Sequence, residues 1–153
     1  MQDLELAIHA ASAGAAVVRE GFGDFGTPEL KSFNNPVTEV DRTAEEVILG
    51  HLRRHRPGDA ILAEEGGGRD RSGAAWRWII DPLDGTTNYA HGYPRFCVSI
   101  GVEFEGTRTV GVVYDPLMDE LYHAVIGRGA FLNGRRIHVS EERCVGRSLL
   151  GTG

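Results

Sequence analysis

Apolar residues recur at helical spacing from the start of the chain: Leu4, Ile8, Ala11, Ala15, Val18 and Phe22 fall on one face. Asp3 is placed to cap that helix, and Gly21 and Gly23 to end it. Phe25–Asn35 lacks the period and reads as a loop or hairpin. After Pro36 the helical period returns, with Val40, Ala44, Val47, Ile48 and Leu52 as the apolar stripe. Thr38 and Asp41 resemble a capping box with Asp in place of Glu, and Pro57-Gly58 stops the helix. Ala60–Ala63 predicts a short strand, and the Gly-rich, charged Gly66–Gly73 a mobile surface loop. Trp78, Ile79 and Ile80 are bulky and β-prone, so they predict a buried strand. That strand should stop at Asp81, because Pro82 cannot donate to a ladder. Thr86, Thr87 and Asn88 suit a helix start.

Beyond Pro94 the pattern becomes a run of strands: Phe96–Glu105, Thr109–Tyr114, Glu120–Val125 and Gly129–Leu132, with turn residues between them. Asn133-Gly134 is a hairpin signal joining the last of these to Arg135–Val139. The apolar pair Leu149-Leu150 looks like the first residues of one more strand. Two helices first and a meander after predict an α+β fold, a layered sandwich of two N-terminal helices on a mainly antiparallel sheet.

Composition narrows the function. At 153 residues the chain is long enough for one domain with a real core. The formal charge is −6, and the only basic cluster, Arg53-Arg54-His55-Arg56, reads as a solvated helix end. A phosphate-tracking nucleic-acid surface is therefore not expected. Cys97 and Cys144 are far apart and in no metal spacing, which fits reduced thiols in a cytoplasm, with Cys97 in the core. No signal peptide or membrane-length apolar run is present.

The chemistry concentrates in Trp76–Pro94. Asp81 and Asp84 stand three apart at the end of a predicted strand, directly before a predicted helix start. Carboxylates there can hold a hard cation such as Mg²⁺, and amides at a helix start can hold phosphate. Together they suggest metal-assisted chemistry on a phosphate ester. A plain tight turn through Pro82–Gly85 is the ordinary alternative. An EF-hand fails, because it needs oxygen ligands at Leu83 and Gly85 and an acid at Gly92. The haloacid-dehalogenase signature fails too, because Leu83 stands where its second acid belongs. Three other residues have ordinary readings alone: Lys31 as a surface lysine, Asp41 as a first-turn acid, and Glu64-Glu65 as solvated acids at a strand end. His91 needs no catalytic role and suits a helix end or the surface.

These stretches resemble the inositol monophosphatase family along essentially the whole chain. Its signature is matched by Trp78-Ile79-Ile80-Asp81-Pro82-Leu83-Asp84-Gly85-Thr86-Thr87-Asn88. Asn35–Asp41, Ala63-Glu64-Glu65 and Gly111–Pro116 match further family marks, and Asn88–Pro94 is closer to inositol monophosphatases than to relatives acting on nucleotide phosphates. The resemblance implies a lithium-sensitive, usually dimeric phosphomonoesterase that uses two or more Mg²⁺ ions, with Mn²⁺ as a substitute. Its substrate would be a small phosphorylated polyol or sugar, while the charge and the short apolar runs already lead to the expectation of no nucleic-acid or membrane partner. By position, Glu64, Asp81 and the Leu83 carbonyl would bind a first metal, and Asp81 and Asp84 a second. Glu64 and Thr86 would orient the attacking water, with Asp41 and Lys31 beside them. Asp84, Gly85, Thr86 and Thr87 would meet the substrate. The family's C-terminal Trp-Asp-x-Ala-type motif, which supplies a further aspartate to the second metal, is not found in these residues. The expectation is a metal- and phosphate-binding first domain of the sugar-phosphatase fold, spanning 1–153, without its C-terminal partner and weakly active. Relatives acting on fructose 1,6-bisphosphate or histidinol phosphate, and a non-catalytic interaction module, are the alternatives.

Overall fold

The computed structural model describes residues 2–23, 29–32, 35–37 and 39–149, the segments 29–32 and 35–37 by their backbone. Helix α1 spans Asp3–Gly21 and helix α2 Glu39–His55. Between them β1 (Glu29–Ser32) and β2 (Asn35–Val37) pair antiparallel, so the predicted loop or hairpin is a hairpin where it is described. Strands β3 (Ala60–Ala63), β4 (Trp76–Asp84), β5 (Cys97–Phe104), β6 (Thr107–Asp115), β7 (Glu120–Val125), β8 (Gly129–Leu132) and β9 (Arg135–Ile137) form one seven-stranded sheet in chain order. Helix α3, Thr86–Ala90, sits between β4 and β5. Pairing is antiparallel except between β3 and β4, which run parallel and are joined by the non-helical stretch 64–75. This is the expected α+β architecture.

Helices α1 and α2 pack together and on one face of the sheet. Alternation in the strands sends Trp78, Ile80, Val98, Ile100, Val102, Val110 and Val112 into that layer. Trp78 is fully buried, and its indole N–H donates to Asp59 Oδ2 at 2.8 Å, which removes the cost of burying the donor. No helix among the described residues is long and apolar enough to cross a membrane.

Several details differ from expectation. The cap of α1 is Gln2, whose N–H donates to Glu5 at 3.1 Å, while Asp3 forms an ion pair with Arg56. The buried face of α1 is Leu6, Ala7, Ala10, Ala11, Gly14, Ala15 and Val18, a largely small-residue stripe that lets α2 approach. Thr38 lies outside the described residues, as does the Leu150 half of the Leu149-Leu150 pair. The larger correction concerns β4. It does not stop at Asp81 but runs through Pro82 to Asp84, because Asp81 pairs with Ser99 and Asp84 with Cys97, leaving one extra residue on β4. A bulge of this kind needs no ladder donor at its extra position, so it accommodates a proline.

Candidate active site

The bulge determines what β4 can present. In a regular strand Asp81 and Asp84 would point to opposite faces, and the Leu83 carbonyl would be committed to the ladder. Here the Asp81 carboxylate accepts from the Leu83 N–H at 3.1 Å, folding the strand end back on itself. The Leu83 carbonyl instead accepts from the Thr86 hydroxyl at 2.9 Å. Gly85 makes the turn into α3 with φ 98°, and a side chain there would meet Arg95 O at 3.0 Å. Helix α3 is then locked down by Tyr89, which is buried and donates to Val18 O at 3.0 Å.

Two other elements bring acids to this turn. Because β3 runs parallel to β4 with Ala63 opposite Ile80, Glu64 leaves β3 alongside Asp81. The two carboxyl groups are in hydrogen-bond contact. Burial pushes the Asp81 carboxyl up to about 7, and Glu64 and then Asp84 push the same way, opposed by the Leu83 N–H. From behind, α2 supplies Asp41, 1% exposed, whose Oδ1 lies 3.0 Å from the Thr86 hydroxyl. One hydroxyl hydrogen thus serves two acceptors, Asp41 and Leu83 O. Cys97 adds a half-buried thiol 3.8 Å from Asp84 Oδ2, which burial and that carboxylate push up to about 12.

Among the described residues no three His, Cys, Asp or Glu side chains already stand as a closed metal cage. The donor set nevertheless fits a hard divalent ion. Glu64, Asp81, Asp84 and the Leu83 carbonyl offer oxygen only, and the burial and neighbouring carboxylates that raise Asp81 disfavour a charge that a cation would offset.

The model of the inositol monophosphatase family matches residues 2–152. The chain belongs to that family. Inositol monophosphatase 3 of Solanum lycopersicum is 42% identical over 154 residues, covering 99% of this chain and 58% of that protein. The protein called Nus factor SuhB in Pseudomonas aeruginosa is 46% identical over 155 residues, covering 98% and 57%. The crystal structure of the extragenic suppressor protein suhB from Bartonella henselae superposes with a TM-score of 0.87 at 38% identity, covering 91% of this chain and 55% of that one. The chain therefore spans a little over half the length of these relatives.

Of the residues expected from the family pattern, the fold brings Asp41, Glu64, Asp81, Leu83, Asp84, Gly85 and Thr86 to one strand end. Thr87 is on α3 and exposed. Lys31 is in β1, and β2 lies beside α3, so its hairpin reaches the same end; the Lys31 side chain is outside the described residues. His91 is at the C-terminal end of α3, as expected. Cys97 is not core but borders Asp84.

Two features were missed. Gly66–Gly73 is anchored at its start and not a free loop: Ile61 and Arg69 exchange backbone hydrogen bonds at 2.7 and 2.8 Å, and Arg53 donates to Gly67 O at 2.7 Å. Behind it, Glu45 is 3% exposed. Its signal was present, because an acid one turn after Asp41 interrupts the stripe that Ala44 and Ile48 define.

Proposed function

We propose that the chain is the metal- and phosphate-binding part of a Mg²⁺-dependent phosphomonoesterase acting on inositol monophosphate or a similar phosphorylated polyol. The observation that supports this most is the meeting of crowded acids with a hydroxyl held by a buried acid: Asp81 against Glu64 and Asp84, beside Thr86 on Asp41. Glu64, Asp81 and the Leu83 carbonyl would hold one ion, and Asp81 and Asp84 a second. When bound, such ions acidify water and neutralise charge on the entering and leaving oxygens of phosphate.

The protein's own part follows from the hydrogen bonds. While Thr86 donates to Asp41, its oxygen keeps lone pairs free to accept a hydrogen bond from the attacking water. Glu64 would take the water's other hydrogen as its proton acceptor, so the water keeps one O–H, held by Thr86, and its lone pair is aimed at phosphorus. The amides of Gly85 and Thr86 at the start of α3, with Thr87 and Asp84 beside them, would face the phosphate oxygens, and Lys31 would add charge nearby. Fructose 1,6-bisphosphate is the alternative substrate; one relative of known structure, 28% identical, is named an inositol monophosphatase-fructose 1,6 bisphosphatase.

The test uses these residues joined to the C-terminal part of the tomato relative, assayed for phosphate release from inositol 1-phosphate. Mg²⁺-dependent release is expected. Thr86→Ala should lower turnover on the order of 10²–10⁴ with little change in Mg²⁺ affinity, because its role is orientation. Unchanged turnover with weakened Mg²⁺ binding would contradict the role given to Thr86. Absence of any divalent-cation binding would favour a non-catalytic interaction role.

A further inference from the structure

Helix α2 buries two acids one turn apart. Asp41 faces the β4–α3 turn through Thr86. Glu45, 3% exposed, faces the other half of the site. Its Oε2 accepts from the Glu65 N–H at 2.7 Å, and its Oε1 from the Gly67 N–H at 2.8 Å. The same helix reaches Gly67 again through Arg53, which donates to the Gly67 carbonyl at 2.7 Å. The turn has no slack at that point. A Cβ on Gly67 would lie 2.6 Å from Glu45 Oε1 and 2.7 Å from Leu49 Cδ1.

Glu64 lies between two fixed points. Ala63, before it, is paired to β4, and the Glu65 N–H, after it, is held by Glu45. We infer that Glu45 is a positioning residue, which fixes the Glu64 carboxylate against Asp81 by gripping the turn that follows it. The inference rests on the proposed role of Glu64 as a metal ligand. A buried carboxylate is costly, and a neutral acceptor would suffice to anchor an ordinary loop. Charge-assisted bonds to two amides give a stiffer hold than neutral ones. With Asp41 and Glu45 on one rigid helix, Thr86 and Glu64 are referenced to the same frame, although one follows β4 and the other β3.

The test is Glu45→Gln, which keeps the shape but turns one acceptor oxygen into an N–H₂ facing an N–H. Titration of the 153-residue chain with Mn²⁺ alone should show Kd raised about tenfold or more, the usual size for losing support behind a metal ligand. Hydrogen exchange at the Glu65 and Gly67 amides should quicken. Asp59→Ala, which removes the acceptor of the Trp78 indole, is the control. It should lower thermal stability and leave Mn²⁺ affinity unchanged. If Glu45→Gln lowers stability but keeps Kd within twofold of wild type, Glu45 is only a structural anchor and the inference is overturned. Should Glu45→Gln not fold, Gly67→Ala displaces the same turn without removing the charge, and an unchanged Kd there overturns it equally. Glu64→Gln, run in parallel, separates the two levels. If Glu64→Gln leaves Mn²⁺ affinity intact, the metal-ligand reading falls and the inference with it. If Glu64→Gln weakens binding while Glu45→Gln does not, only the inference falls.

Discussion

The two ends of the sheet are built differently. At the β7–β9 end each strand pairs with the next in an unbroken antiparallel register. Asn133 and Gly134, with φ 47° and 77°, close β8 and β9 in a two-residue turn whose twist suits the strands. Side chains there settle into local contacts, with His123 stacked on Phe131 at 5.1 Å and Arg136 over the same ring. At the β3–β4 end the pairing is parallel, the ladder is interrupted between Asp81 and Asp84, and two buried acids stand behind it. A regular ladder consumes its carbonyls and alternates its side chains. Chemistry that needs a carbonyl and neighbouring carboxylates at one spot requires the ladder to fail there.

The largest contrast should be in packing. Trp78→Ala empties a fully buried site under the helices and should cost about 3–5 kcal/mol, whereas Phe131→Ala, partly exposed at the regular end, should cost about 1–2 kcal/mol. Urea unfolding measures both. Equal losses would mean that the two ends share one core.

The next contrast uses two glycines of like backbone. Gly85 and Gly134 have φ 98° and 77°, but a Cβ meets Arg95 O at 3.0 Å in one and open space in the other. Gly134→Ala should cost only the left-handed penalty, about 1 kcal/mol, and Gly85→Ala at least about 1 kcal/mol more. Matching values would show that the site turn has room to spare.

The regular end was legible because its rules are local. Alternation and Asn133-Gly134 are enough to place β6 to β9 to within two residues. The residues that meet at the end of β4 were named in advance, from the resemblance carried by Asn35–Asp41, Ala63–Glu65 and Trp78–Asn88. The construction of that end was not legible. Pro82 argues locally against a strand, and only the pairing with β5 shows that a bulge absorbs it. Glu45 and the turn it holds are distant in sequence, so glycine content alone suggested mobility. The half-buried position of Cys97 depends on the same shift in register.

The smallest expected effect on stability concerns the sheet face away from α1 and α2. Residues including Ile79, Val113 and Ala124 line an open hollow of about 720 Å³, and Val113 and Ile126 are 38% and 62% exposed. Apolar surface of this kind seeks a partner, so the 153-residue chain should self-associate as concentration rises. The pair Val113→Lys and Ile126→Lys should return it to a monomer while changing stability by under about 0.5 kcal/mol each. Light scattering that finds the unaltered chain monomeric at high concentration would contradict this.

The most direct measurement is calorimetric titration of the 153-residue chain with Mg²⁺ and Mn²⁺, beside the same chain carrying Asp81→Asn. Asp81 is in contact with Glu64 and is pressed by Asp84, so it is placed to serve both proposed ions. The expected result is saturable binding in the unaltered chain and its near-complete loss in Asp81→Asn, with the circular dichroism of the two unchanged. Equal binding by both, or none by either, would contradict the assignment of this strand end as a metal centre.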